Sequence, residues 1–233
     1  MRTFRRFTHL GAKFRIATRH YGALTAEIVK HRRILEDYIR RQPDFGTSLQ
    51  PIDLLGRAPE VAVRMARAAR AVGVGPMAAV AGAMAQLAAE AALSAGDREV
   101  VVDNGGDIYL RVAEPIRIQL ETGEAGLKDR LGFLFEPDDT PVSVCSSSGK
   151  MGHSLSLGQC DLATIVADDA ALADAAATLA GNLVTKPTDI ESAMERVMSV
   201  PGLRGVLLVK DNRVGLMGKL PRLIHIRTRA YRA

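Results

Sequence analysis

The sequence has no tryptophan, and aromatic residues make up only 4% of its 233 positions. A core without large rings must be built from Ala, Val, Leu, Ile and Met, which favours close helix packing through small side chains. Hydrophobic residues are 47% and charged residues 24% of the chain, so we expect an ordinary globular fold and not disorder. The length allows one large domain or two small ones, and we expect a single domain over residues 1–233.

Cysteine is also scarce, since Cys145 and Cys160 are the only two. Neither belongs to a C-x-x-C pair, and two are too few for a disulfide framework or a structural zinc site. A reducing, cytoplasmic compartment is the simple inference. The first residues carry arginines but no apolar stretch, so we expect no signal peptide there.

The longest apolar run, Val72–Leu93, has the length of a membrane span. It is rich in Ala and Gly and carries Gln86 and Glu90. Alanine contributes little to membrane insertion, so we expect a buried helix and no membrane partner.

The net charge is +5 and the isoelectric point about 9.5. No basic patch interleaved with aromatics accompanies this charge, and no nucleic-acid-binding motif is recognisable. An anionic small molecule such as a nucleotide explains the charge equally well. We therefore expect a small-molecule ligand and no nucleic acid, and the oligomeric state stays open, with a homodimer as one option.

Several common catalytic motifs are missing: G-x-x-x-x-G-K-[ST], G-x-S-x-G, H-E-x-x-H and G-x-G-x-x-G. In their place stands EVVVDNGGDIYL over Glu99–Leu110, where Asn-Gly between two β-prone runs predicts a hairpin. Asp103 and Asp107 flank two glycines, so a ligand can approach bare backbone beside two carboxylates. A plain hairpin with solvated acids is the alternative.

Asp174 and Thr178 are four residues apart on a predicted Ala-rich helix, so they share one face. A carboxylate and a hydroxyl on such a face can bind a hard cation through oxygen. The alternative is that Asp174 is a first-turn acid favoured by the helix dipole and that Thr178 bonds back to its own helix.

A third candidate is the predicted loop Ser146–Lys150, which can hold a phosphate through hydroxyls, backbone N–H groups and one ammonium. His153 follows in the same region and can act as a base or a phosphate ligand. A loop without function is the alternative for both.

Strands and helices alternate irregularly and hairpins are frequent, which predicts an α+β fold with a mixed or largely antiparallel sheet. We expect two strands joined near Gly11, a loop over Pro43–Pro51 and a capping box at Thr188–Glu191 ahead of a late helix. Helices are expected over residues 23–41, 60–72, 76–95 and 170–184, and a peripheral tail over 221–233.

Four segments together resemble the ApbE-like superfamily of FAD-dependent protein FMN transferases, and in particular an uncharacterised ApbE-related branch of bacteria and archaea. The segments are Val74–Glu90, Val101–Leu110, Ser146–Ser154 and Ala163–Gly181. The resemblance implies an ApbE-like α+β domain with a central Ala/Gly-rich helix. It also implies Mg²⁺ held by Asp174 and Thr178, and a pocket for FAD or a similar ligand. Ligand contacts are implied for Asn104, Gly105, Gly106, Ser148 and Gly149, and catalytic roles for Asp107 and His153.

Two departures from the superfamily pattern stand out. The central helix of the transferases begins with Lys-Gly and carries an Asp, where this chain has Ala81-Gly82 and Gln86. The family His is followed by Asp-Pro and Thr-Gly, which are missing after His153. The expected function is a divergent ApbE-like protein that binds a flavin- or nucleotide-like ligand, with Mg²⁺-dependent FMN transfer or FAD pyrophosphate cleavage as its reaction. The alternatives are a non-catalytic ligand-binding or assembly protein, and an enzyme for a pterin- or nucleotide-like substrate.

Overall fold

The computed structural model describes residues 2–122, 130–149 and 158–226. Within these ranges the chain forms two antiparallel sheets and a layer of helices. The strands are β1 (Arg5–His9), β2 (Ala12–Ala17), β3 (Val100–Asn104), β4 (Asp107–Arg111), β5 (Ile116–Gln119), β6 (Leu131–Phe135), β7 (Val142–Ser147), β8 (Leu162–Ala167), β9 (Leu203–Lys210), β10 (Arg213–Gly218) and β11 (Arg222–His225). The helices are α1 (Tyr21–Arg41), α2 (Asp44–Thr47), α3 (Glu60–Val72), α4 (Val80–Ser94), α5 (Ala170–Leu183) and α6 (Ile190–Met198).

The main sheet has eight strands in the order β1-β2-β3-β4-β7-β8-β9-β10, and the small sheet has the order β11-β6-β5. Every strand pairing in both sheets is antiparallel. The predicted α+β fold is therefore confirmed.

The main sheet separates two hydrophobic cores. Alternate residues of a strand point to opposite faces, so Val100 and Val102 pack against the helices while Val101 packs toward the small sheet. The same alternation continues on β4, where Tyr109 faces the helices and Ile108 faces the small sheet. Both faces of the central strands are thus buried, and a polar residue there sits in a protein interior.

Helix α4 is the central helix of the helical layer and contacts α1, α3, α5 and the strands β3 and β4. It is preceded by the 3₁₀ turn Pro76–Ala79, and Pro76 opens that turn as its sequence position predicts. In the described part of the chain, only Pro76–Ser94 is long and apolar enough to cross a membrane by length and composition. Half of that stretch is buried inside the fold, as the core position of α4 requires.

Helices α4 and α5 meet at Gly82. A Cβ atom on Gly82 would lie 2.1 Å from the carbonyl oxygen of Ala170 and 2.9 Å from the Cβ of Asp174. Only glycine allows the two backbones to approach this closely. This contact brings Asp174 to the beginning of α4.

Four local predictions were wrong. The loop expected over Pro43–Pro51 contains the short helix α2, whose Phe45 is fully buried against Tyr38. The expected peripheral tail contains β11, which completes the small sheet beside β6. The expected capping box of Thr188 and Glu191 does not form ahead of α6. Instead, the carboxylate of Asp189 accepts hydrogen bonds from the backbone N–H groups of residues 185 and 186.

The fourth correction concerns the end of β7. Ser146 and Ser147 were expected in a loop, but they continue the strand because they pair with Thr164 and Ala163 of β8. Serine has no local preference for a strand, so the neighbouring strand decides the outcome.

Candidate functional site

The turn between β3 and β4 consists of Gly105 and Gly106, with φ angles of +72° and +105°. The sequence placed the turn centre one residue earlier, at Asn-Gly, but Asn104 is the last residue of β3 and pairs with Asp107. Both turn residues lie in the left-handed region, where glycine is strongly favoured. Asp103 stabilises the turn, since its Oδ1 accepts a hydrogen bond of 2.9 Å from the N–H of Gly106.

The two carboxylates of this hairpin lie on opposite faces of the main sheet. Asp103 follows Val101 by two residues and faces the small sheet, whereas Asp107 precedes Tyr109 by two and faces the helices. Asn104 shares the helix face, and its side-chain N–H donates to the carbonyl of Ala81 at 3.2 Å. Asn104 therefore ties the hairpin to the first turn of α4.

On the helix face, Asp107 is 9% exposed and its Oδ1 has no hydrogen-bond partner among the described residues. Burial raises the pKa of Asp107 well above its ordinary value, and the nearby carboxylate of Asp174 raises it further. Burial also raises the pKa of Asp174, to about 7. The buried carboxyl group of Asp107 and the half-buried one of Asp174 thus form an acidic pair that resists carrying two negative charges.

Asp174 lies in the second turn of α5, and its Oδ2 accepts a hydrogen bond of 2.9 Å from the N–H of Gly82. The interpretation of Asp174 as a first-turn acid of its own helix was therefore wrong, because its carboxylate serves the N-terminal turn of α4. Thr178 lies one turn further along α5 and is partly buried. The predicted pairing of Asp174 and Thr178 on one helix face is present, with Asp107 as a third oxygen donor nearby.

Ser147 joins this face and was missed by sequence reasoning. It follows Cys145 by two residues on β7, so both side chains face the helices, and Cys145 pairs with Asp107 across the strands. The hydroxyl of Ser147 is buried and has no hydrogen-bond partner among the described residues. Period-two counting from Cys145 finds Ser147 only once β7 is known to extend that far.

Cys145 lies between these groups and is fully buried. Burial raises the pKa of its thiol well above the ordinary value, and the carboxylates of Asp107 and Asp174 raise it further. The thiol is therefore protonated at neutral pH and is a poor nucleophile, as expected for a core cysteine.

Ser148 and Gly149 follow directly after β7. Ser148 is buried, and the N–H of Gly149 donates to the carbonyl of Cys160 at 2.9 Å. A Cβ on Gly149 would lie 2.5 Å from the oxygen of Gly158, and one on Gly158 would lie 1.9 Å from the oxygen of Gly181. Lys150 and His153 lie outside the described residues, so their predicted roles stay predictions.

A cavity of about 820 Å³ lies on the other face of the main sheet, at the same hairpin turn. The hydroxyl groups of Ser146 and Thr164 are 2.9 Å apart at this cavity. Its polar lining includes Asp103, Gly105, Gly106, Gln119, Glu121, Ser146, Ser147 and Ser148. The apolar wall is formed by Ile108, Ile118, Leu120, Val144 and Leu162, and the cationic wall by Arg6, Lys13 and Arg15.

Asp103 is 5% exposed, and burial raises the pKa of its carboxyl group, an effect that Glu121 reinforces and Arg15 opposes. The cavity therefore combines an apolar wall, the buried carboxyl group of Asp103, a cationic wall and the exposed carboxylate of Glu121. An apolar lining with a few polar groups is typical of small-molecule sites.

The donor set on the helix face suits a hard cation better than a soft one. No group of three or more His, Cys, Asp and Glu side chains arranged to hold a metal occurs in residues 2–122, 130–149 and 158–226. The oxygen donors present are two carboxylates and the hydroxyls of Thr178 and Ser147. A cation that accepts few protein ligands and keeps several waters, such as Mg²⁺, fits this set, and the unpaired Oδ1 of Asp107 is the atom that lacks a partner.

Comparisons with known proteins agree with this architecture. The family model described as "AbpE bacteria" matches residues 12–204. A UPF0280 protein of Methanosarcina acetivorans is 40% identical over 211 residues, which cover 90% of this chain and 83% of that protein.

Solved structures show the same fold at low sequence identity. The flavin transferase ApbE from Vibrio cholerae matches with a TM-score of 0.58 and 15% identity, covering 94% of this chain and 97% of that chain. The ApbE protein from Thermotoga maritima matches with a TM-score of 0.61 and 12% identity at the same coverage of 94% and 97%. The family match and the archaeal relative together show that this chain belongs to the UPF0280 family of ApbE-like proteins.

Proposed function

We propose that this protein binds a flavin- or nucleotide-like ligand together with Mg²⁺ at the Gly105-Gly106 turn, as a divergent relative of the flavin transferases. The observation that carries the proposal is the buried, unpaired Oδ1 of Asp107 beside the carboxylate of Asp174. The fold shared with ApbE flavin transferases supports it.

A divalent cation would remove the electrostatic repulsion between Asp107 and Asp174 on the helix face. One buried and one half-buried carboxylate without a counter-charge are costly, and the folded protein reduces that cost by holding a proton. A bound Mg²⁺ would replace the proton, neutralise both carboxylates and give Oδ1 of Asp107 a partner. Asp174 and Thr178 would be its main ligands, with Asp107 and the hydroxyl of Ser147 completing the site or holding its waters.

The ligand would occupy the cavity on the opposite face and extend past the turn. Its volume of about 820 Å³ is in the range of small-molecule sites. The apolar wall suits a flat ring and the cations suit phosphate. Gly105 and Gly106 present backbone without side chains at the edge between the two faces, so a phosphate chain can pass close to the strands.

Bound Mg²⁺ would supply the polarisation of a pyrophosphate and the neutralisation of charge on its leaving group. The chain's own residues keep that position fixed. The N–H of Gly82 orients Asp174, and Asn104 anchors the hairpin to α4 through Ala81. The reaction served by this arrangement is FMN transfer to a protein hydroxyl or cleavage of the FAD pyrophosphate, and His153 is proposed to contact phosphate or move a proton.

A second candidate is ligand binding without transfer, and Gln86 favours it. Gln86 occupies the position where the transferases carry an acid. Its Oε1 accepts from the N–H of Ala170 at 2.7 Å and its side-chain N–H donates to Glu90 at 3.0 Å. The oxygen end of the side chain therefore joins α4 to α5 and the nitrogen end bonds within α4, so both ends are occupied by the chain's own groups.

The test is a titration of FAD into the purified protein with and without Mg²⁺, followed by flavin fluorescence and by release of AMP. Since the protein has no tryptophan, its own emission is low. We expect Mg²⁺ to strengthen FAD binding at least tenfold in the wild type and to have no effect on Asp174→Ala. Asp53→Ala is the matched control, because the Asp53 carboxylate is fully exposed and forms an ion pair with Arg70 of α3.

Equal Mg²⁺-dependent binding by Asp174→Ala and the wild type would contradict the assignment. Binding without AMP release or flavin transfer would select the second candidate, whereas AMP release would favour the transferase or pyrophosphatase.

A further inference from the structure

We propose that Asp103 makes the cavity selective for a ring with a 2-amino-4-oxo edge, as in guanine and pterins. The inference rests on the proposed function, since it places the ring of the ligand in the cavity at the Gly105-Gly106 turn. It goes further by naming the chemical class of ring that this chain prefers.

Asp103 is a buried residue of the cavity lining and not a solvent-exposed acid. It is 5% exposed and lines the cavity beside both glycines of the turn. Its Oδ1 is held by the N–H of Gly106 at 2.9 Å, which fixes the direction of the carboxyl group. The N–H of Gly105 also interacts with the carboxyl group, and because Asp103 lines the cavity we infer that Oδ2 is its acceptor toward a ligand.

The edge of the ring must then supply donors. An ionised carboxylate is an acceptor only, and its two oxygens match two adjacent N–H groups. A 2-amino-4-oxo ring presents such a pair, namely its ring N–H and its exocyclic amino group. The edge of a flavin or uracil instead presents one N–H between two carbonyl oxygens, which a carboxylate would repel. Adenine offers one donor and one acceptor and matches only half.

The cationic wall adds the requirement for an anionic group on the ligand. Strand register places Arg6 opposite Arg15 and Thr8 opposite Lys13, so these side chains share the cavity face of the β1–β2 hairpin. Residues 2–19 contain no Asp or Glu, and besides Asp103 the acid that lines the cavity is Glu121, so the three cations outnumber the two acids in the lining. A phosphate on guanosine or a carboxylate on a pterin would satisfy the same cations.

The experiment compares the dissociation constants of GMP, IMP, 6-carboxypterin, AMP and FMN by calorimetry, for the wild type and Asp103→Asn. IMP is the matched ligand for GMP because it lacks only the 2-amino group. We expect GMP or 6-carboxypterin to bind the wild type at least tenfold more tightly than FMN, and IMP about tenfold more weakly than GMP. Whichever of GMP and 6-carboxypterin binds more tightly identifies the ligand class as a nucleotide or a pterin.

Asp103→Asn keeps an oxygen for the N–H of Gly106 but offers a donor in place of one acceptor. We expect it to weaken the 2-amino-4-oxo ligands at least tenfold and to leave FMN unchanged or tighter. Asp53→Asn, whose side chain is fully exposed and lies outside the proposed site, is expected to keep the wild-type ranking of rings. The GMP and IMP comparison needs no variant, so it decides the matter even if Asp103→Asn does not fold.

The results that would overturn the proposed function differ from those that would overturn only this inference. If none of the five compounds and no FAD binds, both the proposed function and this inference are overturned. If FMN binds as tightly as GMP and 6-carboxypterin, or if IMP equals GMP, Asp103 does not select the ring and only this inference is overturned. The same holds if Asp103→Asn and Asp53→Asn leave the same ranking.

Discussion

Asp103 and Asp107 stand on either side of one two-residue turn, yet they face opposite sides of the main sheet and meet opposite surroundings. Asp103 is held by the N–H of Gly106 and has the cation of Arg15 nearby. Asp107 has an oxygen without a partner and faces a second carboxylate, Asp174. Two identical side chains thus have different surroundings: Asp103 is bonded to the backbone of its own turn, which suits the proposed acceptor role, whereas Asp107 faces a second carboxylate, which suits the proposed cation site.

The two faces of the main sheet also differ in the kind of group that each could bind. The cavity face has room, apolar walls and cations, whereas the helix face is closely packed and rich in oxygen donors. The turn itself, made of two glycines, is the edge where a single ligand can contact both faces. Each prediction below changes one face and asks whether the other is affected.

The largest effect is expected from Gly82→Ala. The new Cβ would lie 2.1 Å from the backbone oxygen of Ala170, so α4 and α5 must separate. We expect a loss of about 3 kcal/mol or more in the free energy of unfolding, measured with urea, together with loss of any Mg²⁺ effect. Binding to the cavity face should be weakened far less in the fraction that remains folded.

Gly22→Ala is the matched control, since a Cβ at Gly22 of α1 meets no atom within 4 Å. This substitution should leave stability unchanged or raise it by up to about 1 kcal/mol, because alanine is the better helix former. If Gly82→Ala were as stable as Gly22→Ala, the close contact of the two helices would not hold Asp174 in place.

The next effect is the pH dependence of stability. The pKa values of Asp107 and Asp174 are raised, so the folded state binds more protons here than the unfolded chain does. The contribution of this pair to the stability of the metal-free protein should therefore fall as pH rises from the ordinary carboxyl value near 3.8 toward about 7, whereas His31, whose pKa burial lowers, contributes in the opposite direction below 6.5. The slope is at most about 1.4 kcal/mol per pH unit for each proton. Mg²⁺ binds the ionised pair, so its stabilising effect should grow over the same range.

Urea unfolding between pH 5 and pH 8, with EDTA or with Mg²⁺, measures both trends. Asp107→Asn should flatten the slope and remove the Mg²⁺ effect, because a neutral amide ends the repulsion. Asp103→Asn should also reduce the slope, since the pKa of Asp103 is raised too, but it should leave the Mg²⁺ effect intact. Loss of the Mg²⁺ effect in both variants would show that the two faces are not independent.

The sequence predicts the local parts of this arrangement. Asn-Gly-Gly between β-prone runs indicates the hairpin, and a spacing of four puts Asp174 and Thr178 on one helix face. Each of these inferences uses only neighbours in the chain, whose geometry is set by backbone periodicity.

The sequence does not predict which distant groups meet. The contact of Gly82 with Ala170 and Asp174 depends on how two Ala-rich helices cross, and many small residues on each helix would allow other crossings. The strand position of Ser147 depends on its pairing with Ala163 of β8. The sequence therefore indicates candidate donors, whereas long-range packing decides which of them lie together.

The smallest effect on stability, and the finest comparison of the two faces, comes from the neighbouring serines of β7. Ser147 faces the helices with a buried, unpaired hydroxyl, whereas Ser146 faces the cavity and bonds to Thr164 at 2.9 Å. Ser147→Ala should change the free energy of unfolding by less than about 0.5 kcal/mol or stabilise the protein, because it removes a polar group without a partner. Ser146→Ala should cost about 1 kcal/mol, because Thr164 loses its partner.

A Mg²⁺ titration followed by thermal unfolding should rank the two variants in the opposite order. Ser147→Ala is expected to weaken the apparent Mg²⁺ affinity several-fold, and Ser146→Ala is expected to leave it unchanged. If Ser147→Ala destabilised the protein as Ser146→Ala does and left Mg²⁺ binding unaltered, its hydroxyl would belong to the core and not to the cation site, which would then consist of Asp107, Asp174 and Thr178.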